Sequence, residues 1–188
     1  MALEVKEMKD SDIVRLAEID RSEHVTMAYF YRNGKLETEK VDWQVPRWFN
    51  DDRSEHSVQA HTEAWSPYLQ QGGTMFAALD GRLLVGMAIY RPKLTQTMAQ
   101  LAVLHVSADY RRDGIATRLT AQIIRQAKED GSTELYVSAT PSESAVGFYQ
   151  SQGFRLAVKP HRTLYELEPE DIHMIKTLQK ENTRSDAE

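Results

Sequence analysis

The stretch Tyr110-Arg111-Arg112-Asp113-Gly114-Ile115-Ala116-Thr117, "YRRDGIAT", lies between an apolar run, "LAVLHVS" (101–107), and an amphipathic one, "RLTAQIIRQAKE" (118–129). Apolar residues at Ile115, Leu119, Ile123 and Ala127 share one helical face, so the stretch joins a strand to a helix. The first N–H groups of a helix have no internal partners and carry partial positive charge, which makes such a joint a ready anion site. Gly114 puts no side chain in the way and accepts backbone angles closed to other residues, and Ala116 keeps the first turn narrow. Arg111 and Arg112 add positive charge, and the Thr117 hydroxyl is a further donor. A pyrophosphate fits this description, although a plain tight turn beside solvated arginines reads the same way. Neither GxxxxGK[ST] nor GxGxxG occurs, so ATP and dinucleotide sites lack support.

Working outward, "TMFAAL" and "RLLVGMAIY" flank Asp80-Gly81 as a β-hairpin, and Gln100 to Val106 forms the next strand. Gly131 stops the helix, "ELYVSA" (134–139) is a strand, and Ser142 to Gln152 is a short helix ending at Gly153. Strands follow near 154–158 and 162–167, and Pro169 starts a final helix carrying Ile172, Ile175 and Leu178. Upstream, "LEVKEM" (3–8) alternates as a strand, and Asp10 or Ser11 caps a helix with Ile13, Leu16 and Ala17 on one face. An inserted hairpin at about 21–50 turns at Asn33-Gly34, and Val58, Thr62, Trp65 and Leu69 mark a helix that stops at Gly72-Gly73. The order β-α-hairpin-α-β-β-β-α-β-α-β-β describes a mixed α/β sheet protein.

The 188 residues, 41% of them hydrophobic, suit one domain over 1–180 with a polar tail at 181–188. A net charge of -5 and a pI near 5.7 give no footprint for nucleic acid. No window suits a membrane span and the start lacks the apolar core of a signal peptide, so a cytoplasmic protein is expected. Without cysteine, disulfides and thiolate chemistry are excluded. The six histidines show no HExxH, and no metal site is expected.

Arg111-x-x-Gly114-x-Ala116 resembles the Q/R-x-x-G-x-G/A loop of the GNAT superfamily of N-acetyltransferases, and "AVGFYQSQGF" (145–154) resembles that family's second signature. The resemblance covers about 74–167, leaves 21–50 uncovered, and implies a GNAT fold: a mixed, mostly antiparallel central sheet with splayed fourth and fifth strands and helices on both faces. It further implies that acetyl-CoA lies between the splayed strands. The pyrophosphate would meet the 111–117 loop (Arg111, Arg112, Asp113, Gly114, Ile115, Ala116 and Thr117), and the pantetheine would pair with the backbone of Leu104 and Val106. An acceptor amine would attack the thioester directly, and Tyr149 holds the place of the tyrosine that protonates the thiolate.

Two positions depart from the family pattern. Ser142 stands where an Asn often starts the second signature, and its shorter side chain is carried here as a cofactor contact. Gln100 stands where several members carry a Glu general base, and an amide takes no proton at neutral pH. The base is therefore open. His105 is next in sequence to the reaction centre but alternates to the face opposite Leu104 and Val106, and Glu23 and His24 begin the insertion in which the family builds its acceptor pocket. Tyr29, Phe30, Tyr31, Trp43, Trp48 and Phe49 either line an acceptor site or complete a core. Between Glu18 and Glu63 acidic residues outnumber basic ones ten to six, which favours a cationic acceptor.

The expected function is acyl-CoA-dependent N-acyl transfer, most simply of acetyl to a primary amine on a small molecule or peptide. The alternative is a CoA-binding sensor without turnover. Exposed sheet edges leave a homodimer open.

Overall fold

The computed structural model describes residues 3–50, 54 and 56–178. Strand β1 (Glu4–Met8) and a 3-10 helix (Asp10–Glu18) lead into the hairpin β2 (Glu23–Arg32) and β3 (Lys35–Val45). Helix α1 (Val58–Gln70) precedes three antiparallel strands, β4 (Thr74–Asp80), β5 (Leu83–Arg91) and β6 (Met98–Val106). Then come α2 (Ile115–Glu129), β7 (Glu134–Ala139), α3 (Glu143–Ser151), β8 (Arg155–Leu156), α4 (Arg162–Leu167) and β9 (Ile172–Thr177).

Seven strands form one sheet in the order β1-β4-β5-β6-β7-β9-β8, antiparallel except for β6 against β7. Its central strands are buried on both faces, as "TMFAALD" and "LLVGMAIYR" show in their unbroken apolar runs. One face packs on α2 and α3 through Ile115, Leu119, Ile123, Val146 and Tyr149. The other packs on the 3-10 helix and α1 through Ile13, Leu16, Leu69 and Trp48. Each such side chain contributes about 1.5–3 kcal/mol when removed from water.

The hairpin forms where Asn33 and Gly34 both take positive φ, the geometry of a two-residue turn that matches strand twist. It forms its own two-stranded sheet and reaches the main body through an Ala28–Ser142 bridge, with Tyr29 N–H donating to the Pro141 carbonyl at 2.7 Å.

Two expected elements come out differently. Residues 162–167, read as a strand, form α4, where Arg162 and Glu166 pair one turn apart and Leu164 is the buried anchor. The helix expected from Pro169 is instead β9, paired with β7 on one side and β8 on the other. Ile172, His173 and Met174 are buried in succession, which a strand covered on both faces produces and an amphipathic helix does not. The spacing of Ile172, Ile175 and Leu178 imitated a helical period. Helix geometry between 10 and 18 is 3-10 rather than α, and the polar tail lies outside the described residues.

Gly86 on β5 sets how closely α2 approaches the sheet. A Cβ there would lie 3.0 Å from Ile115 Cγ2, 3.2 Å from the His105 carbonyl oxygen and 3.3 Å from Leu119 Cδ1. Gly86→Ala should cost about 1–3 kcal/mol by overpacking, seen as a lower urea midpoint at an unchanged m value. An unchanged midpoint would show that α2 has room to spare.

Candidate active site

The parallel strands β6 and β7 pair only through Met98–Glu134, Ala99–Leu135 and Gln100–Tyr136. Beyond that point β6 follows β5, and β7 follows β9. Val103 stands opposite Ile89 and Leu101 opposite Tyr90, so Ala102 is an extra residue on β6. Such a bulge bends its strand and increases the local twist. The two strands therefore diverge into a cleft. Ser107 N–H donates to the Val85 carbonyl at 2.8 Å, and alternation from there turns the backbone of His105 and Val103 toward β5 and that of Leu104 and Val106 toward the cleft. The side chains of Leu104, Val106, Phe148 and Tyr29 pack partly buried against the α2–α3 side of the core.

At the mouth of the cleft the 111–117 loop turns a run of backbone amides outward. Arg112 and Gly114 both take positive φ, 71° and 76°, which for Arg112 is a strained backbone conformation. Gly114 is the N-cap of α2, has no side-chain cap, and would meet nothing within 4 Å if it carried a Cβ. Among the described residues, no acceptor is found for the backbone N–H groups of Arg112, Asp113, Gly114, Ile115, Ala116 or Thr117. Helices α1 and α3 differ, since Ser57 and Ser142 cap them by accepting from Ala60 and Ala145. The loop is pinned from behind: Tyr110 donates to Asp80 at 2.9 Å, Ala108 N–H to the Asp20 carbonyl at 2.8 Å, and Ile115 is buried beneath. Unpartnered amides in this arrangement can hold a phosphate group.

Arg111 turns its side chain inward from this loop. It donates to the Val106 carbonyl at 3.4 Å and the Arg21 carbonyl at 3.1 Å, and pairs with Glu23 at 3.4 Å. Glu23 also accepts from the Ser144 hydroxyl at 2.6 Å, which lies 3.0 Å from that of Ser142. This chain of bonds links the end of β6 to the start of α3 across the cleft. It commits Glu23 to a cation and a hydroxyl, and Ser142, 3% exposed, to capping α3 beneath the hairpin. His24 pairs with Asp42 within the hairpin at 2.7 Å.

The face of β6 toward α1 carries a nest of rings. His105 meets Trp48 at 5.2 Å and Trp65 at 5.7 Å between ring centres, and His61 meets the same indoles at 4.7 and 4.8 Å. The Arg21 guanidinium covers Trp48 at 4.2 Å. Enclosure pushes the His105 imidazole down to about 3, helped by Arg21, His61 and Arg111, and pushes His61 down as well. Both rings are neutral at working pH. Of the insertion's aromatics, Tyr29 and Trp48 face the core, whereas Tyr31, Trp43 and Phe49 are exposed. Gln100 is buried at the apex of the cleft and accepts from Arg91 at 3.2 Å.

Tyr149 lies in the last turn of α3, 8% exposed, with Phe148 and Phe154 each 5.4 Å away. Its hydroxyl has no hydrogen-bond partner among the described residues, and burial first, then the charge of Asp171, push the phenol up. Asp171 and Glu168 escaped notice in the sequence because "LEPEDI" reads as the acidic first turn of a helix. Burial, reinforced by Glu168, raises the Asp171 carboxyl to about 7, and Glu168 is raised too.

Five carboxylates of the acidic 18–63 stretch have partners among the described residues. Glu18 pairs with Arg15, Asp20 with Arg47, Glu23 with Arg111, Glu39 with Arg32 and Asp42 with His24. No group of three potential metal ligands converges among the described residues, and no described helix is long and apolar enough to cross a membrane.

Because folding raises the Asp171 pKa, the folded chain holds a proton that the unfolded chain has released between about pH 4 and 7. Stability from this group is present at low pH and is lost as pH rises through that window. Asp171→Asn should therefore gain melting temperature relative to the parent as pH goes from 4.5 to 7.5. A difference that stays constant with pH would refute the shift.

Comparison with known proteins agrees with this geometry. Residues 41–165 match the family model for the acetyltransferase (GNAT) domain. Human N-acetyltransferase 8 is 33% identical over 94 residues, covering 47% of this chain and 41% of that protein. N-alpha-acetyltransferase 50 of Danio rerio is 26% identical over 123 residues, covering 63% and 73%. The chain thus spans less than half the length of the human relative. Among solved structures, nourseothricin acetyltransferase superposes with a TM-score of 0.71 at 17% identity, covering 95% of this chain and 100% of that one. The PaiA N-acetyltransferase of Thermoplasma acidophilum, solved with coenzyme A, gives 0.60 at 16%, covering 94% and 99%. With a family model spanning most of its length and a sheet forked between β6 and β7, the chain belongs to the GNAT acetyltransferase domain family.

Proposed function

We propose that this protein transfers the acetyl group of acetyl-CoA to a primary amine by direct attack on the thioester. One observation carries the reading: a cleft between two strands with free backbone groups along one arm and six unpartnered amides at its mouth. A ligand fitting both features needs a diphosphate at one end and an extended amide-bearing arm at the other, which is the shape of coenzyme A. The pyrophosphate would lie on the amides of Arg112 to Thr117, with Gly114 leaving room for it. The pantetheine arm would pair with Leu104 and Val106 as an added strand. Arg111 and Ser142 would act indirectly, Arg111 by bracing the Val106 carbonyl and Ser142 by holding the start of α3.

In this reading the amine nitrogen bonds to the acetyl carbon and the carbon–sulfur bond breaks. An N–H of Leu104 or Val106 polarises the carbonyl, and Tyr149 gives its proton to the departing thiolate. The raised phenol holds that proton at any working pH. It donates only as negative charge builds on sulfur in the dry cleft.

Gln100 also motivates a second reading, a CoA-binding sensor, because Arg91 ties down the amide that stands at the apex. Thiol release from acetyl-CoA across a panel of amines (a free-amino peptide, spermidine, lysine) separates the two. Amine-dependent release supports the enzyme, whereas tight CoA binding without release supports the sensor. Tyr149→Phe keeps the ring packing and should lower turnover by about 10²–10⁴-fold, with melting temperature and CoA affinity nearly unchanged. Turnover at the parent rate would make Tyr149 a core aromatic only.

A further inference from the structure

Direct attack releases a proton from the amine, and nothing placed so far takes it. Gln100 has no basic atom free, and Glu23 is held by Arg111 and Ser144. The α2–α3 face of the cleft is filled by Leu104, Val106, Phe148 and Tyr149. An acceptor must therefore approach from the opposite face of β6, where the side chain next to Leu104 and Val106 is His105.

From this geometry we infer that His105 accepts the proton of the attacking amine, with Trp48 and Trp65 holding its ring; the inference rests on the acetyltransferase reading above. Neither ring nitrogen of His105 has a hydrogen-bond partner among the described residues. Among all described residues, the buried side-chain polar atoms left unpaired are Trp48 Nε1, Thr62 Oγ1, Thr120 Oγ1 and His161 Nδ1. The His105 nitrogens are not among them, and the residue as a whole is half-buried. Trp48 meets the ring nearly perpendicular, at 85°, and Trp65 is tilted by 31°, so its orientation is fixed on two sides.

Enclosure first, and then the charges around the ring, set its protonation state. Arg21 and Arg111 face it as cations and His61 as a second imidazole. Enclosure and the repulsion of the two guanidinium groups keep His105 unprotonated and make it a weak base. A weak base suffices here, since the amine proton becomes strongly acidic only as the new carbon–nitrogen bond forms. That proton passes to the imidazole while Tyr149 protonates the sulfur. The imidazolium then releases its proton to water, and the phenolate regains one. The net change is amine plus acetyl-CoA to amide plus CoA thiol.

The test uses the full chain with whichever amine of the panel the parent acetylates fastest. His105→Phe retains a ring but no nitrogen, and should lose about 10²–10⁴-fold in turnover while the KM for acetyl-CoA and the melting temperature stay near those of the parent. His105→Ala should be equally slow and recover in proportion to added imidazole, which a packing role would not produce. A His105→Phe enzyme within threefold of the parent, or one whose loss follows weakened acetyl-CoA binding, would overturn the assignment and leave the acetyltransferase reading standing. A parent that releases no thiol with any amine would remove both.

Discussion

Everything distinctive in this molecule depends on how briefly β6 and β7 pair. Three residue pairs hold the two strands together before the bulge at Ala102 sends them apart. A sheet normally closes its ladder because an unpaired backbone group buried from water costs about 1–3 kcal/mol. Here the ladder is opened at its centre, where both strands are otherwise flanked. Water can satisfy the exposed groups of Leu104 and the N–H of Val106, whose carbonyl Arg111 holds, and an extended ligand can satisfy them better. The opening is thus a site created by withholding hydrogen bonds.

The fork also separates two chemical environments. On the α2 and α3 side lie aliphatic side chains, a phenol and the uncapped start of α2. On the α1 side lie two indoles and two neutral imidazoles, with guanidinium groups at their margin. The proposed transfer delivers one proton to sulfur and removes one from nitrogen, which calls for a donor and an acceptor kept apart. The sheet, one strand thick, keeps Tyr149 and His105 on opposite faces. The bonds from Val106 through Arg111 and Glu23 to Ser144 then tie the inserted hairpin to both arms.

Much of this could be read from the letters. The turn at 110–117, the hairpin at Asn33-Gly34 and the order of elements through α3 follow from local rules: glycine where φ is positive, period two in strands and 3.6 in helices. The assignment of His105 to the face opposite Leu104 and Val106 needed only strand alternation. What escaped depended on long-range contacts. Residues 162–177 have short segments whose state is set by pairing with β7 and by cover on both faces, so β9 looked helical and α4 looked extended. Glu23 looked available because its partner, Arg111, is far along the chain. The acidic surplus of the insertion likewise looked like a field for cations until Glu18, Asp20, Glu23 and Glu39 were found paired with arginines. Asp171 has no sequence signal at all, since its raised carboxyl comes from burial and from Glu168.

The central claim is that the fork and its loop are one site for one extended, diphosphate-bearing ligand. Amide hydrogen exchange with and without coenzyme A tests it most directly, because it reports each backbone N–H separately. The account expects saturating coenzyme A to slow exchange at Arg112 to Thr117 and at Leu104 and Val106 together, leaving the amides of β1 and α1 as they were. Protection that settles on another surface, while the amides of 112–117 exchange as fast as in the free protein, would contradict it.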